Sequence, residues 1–227
     1  MASYATPAEL RTQIDKSGTT GAGSDTALQV ILDAATAAIN LKCNRPYGFT
    51  ALATGTAQVY SGSGGAVQWI DECVSISLVE VKDSPTDSTY TAWVAGDWIA
   101  FRGDPVDPDF NNLPYDAIMI DPTGDYSIFT GGKFSGLGGF SHDMELTRGV
   151  PTIRVTAKWG YAVTAPAIVK EVCIIQAARW YKKGESAHAD MLASGELGTL
   201  QYKGDLDSNL AGLLKQARLI KPAIGRR

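Results

Sequence analysis

Pro166 to Lys183, PAIVKEVCIIQAARWYKK, reads as a helix with a wide apolar side, because Ile168, Val169, Val172, Cys173, Ile175, Ala178 and, less regularly, Trp180 recur at three- and four-residue spacing. Pro166 suits a first helical turn, and Gly184 predicts the stop. Lys182 and Lys183 fall where positive charge favours the carbonyl end of the helix dipole. A helix of about 27 Å with one apolar side needs a partner. Ser24 to Asn44, SDTALQVILDAATAAINLKCN, offers one: Ser24 or Asp25 can cap it, and Leu28, Ile31, Leu32, Ala35, Ile39 and Cys43 share a side. The two predict a packed pair drawn from opposite ends of the chain.

Between them the pattern changes. From about Thr54 to Gly160, alternation and β-branched or aromatic residues predict strands at Ala57 to Ser61, Ala66 to Ile70, Val74 to Lys82, Tyr90 to Val94, Trp98 to Arg102, Ala117 to Asp121 and Thr152 to Trp159. Ser61 to Gly65 would close the first two into a hairpin, and Gly96-Asp97 would join the fourth to the fifth. In Val74 to Lys82 the reading puts Val74, Ile76 and Leu78, with Glu80 as a further member, on one face, the buried one, and leaves the other more polar. Gly103 to Pro114, with three prolines, and Gly131 to Gly139, with five glycines, read as loops that carry contacts to partners. The expected class is therefore α+β: a small helical bundle from the N- and C-terminal helices, a large β-rich insertion, and an extended C-terminal arm. Its expected boundaries are 1–50, 51–160, 161–200 and 201–227.

At the N-terminus, Thr6-Pro7-Ala8-Glu9 has the spacing of a capping box and predicts a short helix burying Leu10 and Ile14. At the other end, Leu206, Leu210, Leu213, Leu214 and Ala217 form an apolar side that Pro222 ends. No acid follows Asp207, whereas Lys215, Arg218, Lys221, Arg226 and Arg227 all do. Two readings of this tail stay open, a solvated terminus and an arm that orders on a partner.

Composition narrows the function. A 44% hydrophobic and 19% charged chain of 227 residues has the makings of a globular core, and no run of apolar residues is long enough to cross a membrane. The first residues show no secretory pattern, so a cytoplasmic setting is expected. Cys43, Cys73 and Cys173 are odd in number and set in apolar surroundings, which predicts buried thiols. A net charge of −4 gives no strong attraction to nucleic acid.

The chemistry of catalysis is sparse. His142 and His188 are the only histidines, there is no Gly-x-Ser-x-Gly elbow, and no cysteine sits in an electropositive setting. His142, Asp143 and Glu145 lie within four residues, but no matching ligand pair appears elsewhere, so a solvated loop is expected. Lys133 lies among glycines yet is followed by Phe134, unlike a phosphate loop, and Asp104, Asp107 and Asp109 lack the closing glutamate of a calcium loop. Trp69, Trp93, Trp98 and Trp159 fall within strands, where rings fill a core; a stacking surface for sugars or bases is the alternative. No catalytic residue, metal site or cofactor is expected.

Two patterns carry a resemblance. One is Tyr4 to Leu10, then Ser24-Asp25 through Leu32 to Ile39, closing on Asn44-Arg45-Pro46-Tyr47. The other is Trp159-Gly160-Tyr161 leading through Ala165-Pro166 to Ile168, Lys170, Ala177, Ala178, Trp180 and Tyr181. In these the chain resembles the head-tail connector, or head-completion adaptor, family of long-tailed bacteriophages. Ala51 to Gly149 departs from that family's shorter β-segment. The resemblance implies a structural adaptor in the virion neck, assembled in the host bacterial cytoplasm as a ring, usually of twelve copies, beneath the portal protein. It implies contact with a tail-side neck or tail-completion protein, and passage of genomic DNA through the lumen without sequence-specific binding. It also implies a C-terminal segment that reaches the portal, with Leu210, Leu213, Leu214, Lys215, Arg218, Lys221, Arg226 and Arg227 as contact residues. Gly131, Lys133, Phe134, Leu137 and Phe140 are the residues expected to face a neighbouring subunit or the tail. A carbohydrate-binding or capsid-decorating β-module is the rival reading.

Overall fold

The computed structural model describes residues 3–16, 23–102, 113–130, 150–190, with side chains to 183, and 206–221. It divides the chain into two compact units, Met1–Phe49 with Ala165–Arg227, and Thr50–Thr164. The fold is α+β, with four helices in the first unit and a six-stranded sheet in the second among the described residues.

In the helical unit, α1 (Pro7–Lys16) starts with the capping box: the Glu9 amide donates to Thr6 Oγ1 at 3.3 Å and the Thr6 amide to Glu9 Oε2 at 3.0 Å. Leu10 and Ile14 are fully buried. Helix α2 (Asp25–Lys42) is capped by Ser24, whose hydroxyl accepts the Ala27 amide, and buries Leu28, Leu32, Ala35, Thr36 and Ile39. Helix α3 (Ala167–Asp190) lies against it. Cys173 Sγ sits 3.6 Å from Thr36 Oγ1, a close approach that the small side chains of α2 permit. The buried arc of α3 is wider than its apolar spacing predicts, taking in Ile174, Gln176 and Ala177. The helix also runs past Gly184, because a glycine costs a helix interior only about 1 kcal/mol and does not break it.

Glu9 on α1 pairs with Lys170 on α3 at 2.5 Å, and this contact holds the Glu9 carboxyl below its usual range. The Tyr4 hydroxyl joins the Asn40 side chain and accepts the Phe49 amide at 2.8 Å, so the ends of the 4–49 segment are fastened together. The last helix, α4 (Ser208–Gln216), is capped by Asp207.

The second unit is one antiparallel sheet: β1 (Thr56–Ser61), β2 (Val67–Val81), β3 (Thr91–Trp93), β4 (Trp98–Arg102), β5 (Tyr115–Ile120) and β6 (Pro151–Trp159). The order is β1-β6-β2-β5-β4, with β3 on β2. Two expected hairpins are therefore replaced by other pairings. Strand β1 pairs with β6, from Thr56 opposite Ala157 to Tyr60 opposite Ile153, and β3 pairs with β2 while β4 pairs with β5. The turn at Asp97 itself forms, since Asp97 donates its amide to Val94 O and accepts the Val94 amide on its carboxylate, but the chain leaves it towards a different neighbour.

The two strands expected at 66–70 and 74–82 are one fifteen-residue strand, β2. Its register against β6 slips between Cys73 and Ser75 and again between Ile76 and Leu78. Each extra residue reverses which side chains face the core. That is why Cys73, Val79 and Val81 are buried while Leu78, expected inside, is exposed. At the far edge Trp93 stacks on Tyr126 and Phe129, with ring centroids 4.2 and 5.1 Å away.

The two ends of this unit meet at its base. Thr50 bridges Ala162 in parallel, the Ala51 amide donates to Ala162 O, and the Leu52 amide donates to Trp159 O. Gly160, at φ +132°, lies so close to Ala51 that a Cβ there would stand 2.6 Å from the Ala51 Cα. The Trp159 indole beside it is fully buried and donates to Thr56 O at 2.8 Å. Gly160→Ala should destabilise the protein by about 2–4 kcal/mol, since both backbone angle and space exclude a side chain. Urea unfolding would measure this, and a loss below about 0.5 kcal/mol would show that the closure yields freely.

Candidate assembly surface

Helices α2 and α4 end in the same way. After α2, Asn44 takes φ +54°, its amide reaches Leu41 O, and the Arg45 amide reaches Asn40 O. After α4, Arg218 takes φ +55°, its amide reaches Lys215 O, and the Leu219 amide reaches Leu214 O. Both are Schellman caps, the second with arginine where glycine is usual. Leu214 and Leu219, the pair of positions that such a cap packs together, are both buried.

The two caps are tied to each other. Arg45 is 5% exposed, donates Nε–H to Leu219 O at 3.1 Å, and lies over the Phe49 ring at 4.8 Å. Its charge sits just past the negative end of α2, where the helix dipole favours it. The Lys221 amide donates to Cys43 O at 3.2 Å. Further up, the buried side chain of Gln176 accepts the Asp207 amide at 3.1 Å, and Arg179 pairs with Asp207 at 2.6 Å. That ion pair holds the Asp207 carboxyl below its usual range.

Of the extended arm expected at 201–227, residues 206–221 are part of the helical unit. Leu210 and Leu214, expected at a partner's surface, are buried among the chain's own helices because the apolar side of α4 faces inward. Leu213 is 41% exposed, and Lys215 and Arg218 are exposed beside it. Arg226 and Arg227 lie outside the described residues, as do Gly131, Lys133, Phe134, Leu137 and Phe140.

Beside this exposed edge is an open groove of about 670 Å³, formed by the end of α2, α3 and α4. Lys42, Arg179, Lys183 and Lys215 line it, with Trp180 among them. Asp207 is the acid in its lining, and it is already paired with Arg179. Reading the sequence missed this basic face, since its cations come from three separate segments and no single stretch carries the cluster.

The remaining candidates separate cleanly. His142, Asp143 and Glu145, the aspartates Asp104, Asp107 and Asp109, and the His188 side chain all lie outside the described residues. Among the described residues no group of His, Cys, Asp or Glu is placed to hold a metal ion, and no helix is long and apolar enough to cross a membrane. The three cysteines are buried free thiols. Burial pushes Cys43 up to about 11 and Cys73 to about 12, and raises Cys173 as well, which suits packing and not nucleophilic attack. Trp93 and Trp159 are core rings and Trp98 is half-buried, which leaves Trp69, 56% exposed, as the one strand tryptophan of the four standing clear on the surface. One ring does not make a row of stacking platforms.

No family model matches the chain, and no curated protein matches it. Among solved structures, it is similar to a chain of the "neck of empty GTA particle computed with C6 symmetry". The identity is 16%, the TM-score 0.54, and the match covers 99% of this chain and 94% of that one. The likeness is one of fold, and it runs through both units.

Two outcomes test these features. In the native protein at pH 8 none of the three thiols should react with an aromatic disulfide reagent within minutes, and all three should react in urea; one fast thiol would contradict their burial. Arg45→Met should cost about 2 kcal/mol, because it strips a charged donor from a buried carbonyl. It should also speed hydrogen exchange at the amides of Leu219 and Lys221. Unchanged exchange there would mean that the tail is held without Arg45.

Proposed function

We propose that this chain is a structural subunit of the neck of a phage-like particle, an adaptor that forms a ring beneath the portal and joins the DNA-filled head to the tail. The observation that carries the reading is the whole-length likeness of fold to a chain in the neck of such a particle. The sequence patterns around Arg45 and Pro166 point the same way. Twelve copies are compatible with the six-fold symmetry under which that neck was computed.

The physical chemistry fits a structural part. The net charge of −4 suits a lumen that passes DNA without gripping it. The residues past Lys221, with Arg226 and Arg227, together with exposed Leu213, Lys215 and Arg218, dock on the portal. Leu210 and Leu214 serve by holding the base of that segment on the helical unit. Gly131, Lys133, Phe134, Leu137 and Phe140 reach a neighbouring subunit or the tail-side protein.

Because residues 206–221 belong to the folded unit, the informative truncation falls after Lys221 and not before α4. Removing residues 222–227 should leave the melting temperature within about 2 °C and weaken binding to the portal by tenfold or more. Unchanged portal affinity would contradict the assignment of the tail.

A further inference from the structure

The two units carry opposite charge. With histidines neutral, Met1–Phe49 with Ala165–Arg227 holds 14 basic and 10 acidic residues, net +4, whereas Thr50–Thr164 holds 6 basic and 14 acidic, net −8. The net −4 of the whole chain hides this division. A chain split in this way presents to a second copy a surface of each sign.

On the helical unit the positive charge gathers in the groove of about 670 Å³. Lys42, Lys183 and Lys215 line it, and Lys42 is exposed with no ion-pair partner among the described residues. Part of the lining is uncharged. Gly212 stands in the middle of α4, where glycine costs about 1 kcal/mol relative to alanine, yet a Cβ there would meet nothing within 4 Å. The chain's own packing therefore does not require that glycine. The space over it is open, and Ala211 and the half-buried Trp180 and Ile220 border it.

On the β unit one corner has the matching chemistry. Asp97 ties two turns together there: its carbonyl accepts the Asp121 amide at 2.9 Å, and its carboxylate accepts the amides of Val94 and Asp125, each at 3.2 Å. Asp125 is exposed and its carboxylate has no partner among the described residues. Beside it Val94 and Ile128 are exposed by 67% and 54%. The other described acidic turn, at Asp83 to Asp87, commits the Asp87 carboxylate to the Ser84 amide and presents no exposed large apolar side chain.

We infer that the groove of one copy receives the corner at Asp121 to Ile128 of a second copy, with Asp125 towards Lys42 and Ile128 against the apolar lining. Duplex nucleic acid is the less suited anion, because a phosphate backbone gains nothing from Trp180, Ile220 or the open space over Gly212. Groove and corner are different surfaces, so the contact runs head to tail, the kind that builds rings or filaments. It stands on charge and shape; only the closure of the series into a ring rests on the neck reading.

Cross-linking tests the contact with this protein alone, because its native cysteines are buried. A Gly212→Cys chain mixed with a Ser127→Cys chain at about 50 µM and low salt, then oxidised with copper phenanthroline, should give the mixed disulfide in roughly fivefold excess over either self-linked pair. About 1 M salt, where the screening length is about 3 Å, should cut that yield about tenfold. So should Asp125→Lys in the second chain or Lys42→Glu in the first, with the melting temperature unmoved, since both side chains are exposed. Gly212→Met should raise the melting temperature, since methionine suits a helix better, and yet leave the chain single in sedimentation velocity where the unmodified protein associates. No mixed disulfide, or self-linked pairs in equal amount, would overturn the inference. So would retention of a short duplex DNA by the unmodified protein that Lys42→Glu abolishes, which would give the groove to nucleic acid. Portal takes no part in these measurements, so their failure leaves the neck reading standing.

Discussion

The approach of Gly160 to Ala51 is the constraint on which the rest depends. A unit of more than a hundred residues, Thr50–Thr164, can be inserted between two helices only if its entry and exit segments come together. Here they do so through the Thr50–Ala162 bridge and the amides of Ala51 and Leu52. The backbone there is too close for any side chain at position 160, and Trp159 fills the space beneath. With the ends joined, residues 3–49 and 165–221 behave as neighbours in sequence would, and build one helical unit.

Within that unit the ends of α2 and α4 form a second fastening. Two Schellman caps lock to each other through Arg45 and the Lys221 amide, and this fixes Lys221 on the helical unit. The consequence is functional under the neck reading. A docking segment that begins at a fixed point loses less conformational freedom on binding than one free along its whole length. The basic groove is lined by Lys215 of the same helix that exposes Leu213.

Much of this was legible in the residues. The capping box at Thr6 to Glu9, the cap at Ser24 and the apolar spacing of α2 and α3 are local signals, and local signals place helices well. Most strand positions were legible to within two residues for the same reason, although 66–70 and 74–82 are one strand. Which strand pairs with which was not, since β1 lies against β6 through contacts about a hundred residues apart that no short window contains. The face of β2 was misjudged because a bulge leaves no mark in an alternating pattern. The buried Leu210 and Leu214 show a further limit: an amphipathic helix announces that one side must be covered, but not by what. The basic groove was invisible for a related reason, its lysines being gathered from residues 42, 183 and 215 by the packing of three helices.

Under the neck reading this chain acts as a part of an assembly. The most direct measurement is the mass, by native mass spectrometry, of the complex formed when the purified protein is mixed with the portal ring of its own particle. The account predicts a single complex carrying a fixed number of copies, twelve on a portal of twelve. A portal that emerges at its own mass, with this chain remaining apart from it, would contradict the neck reading.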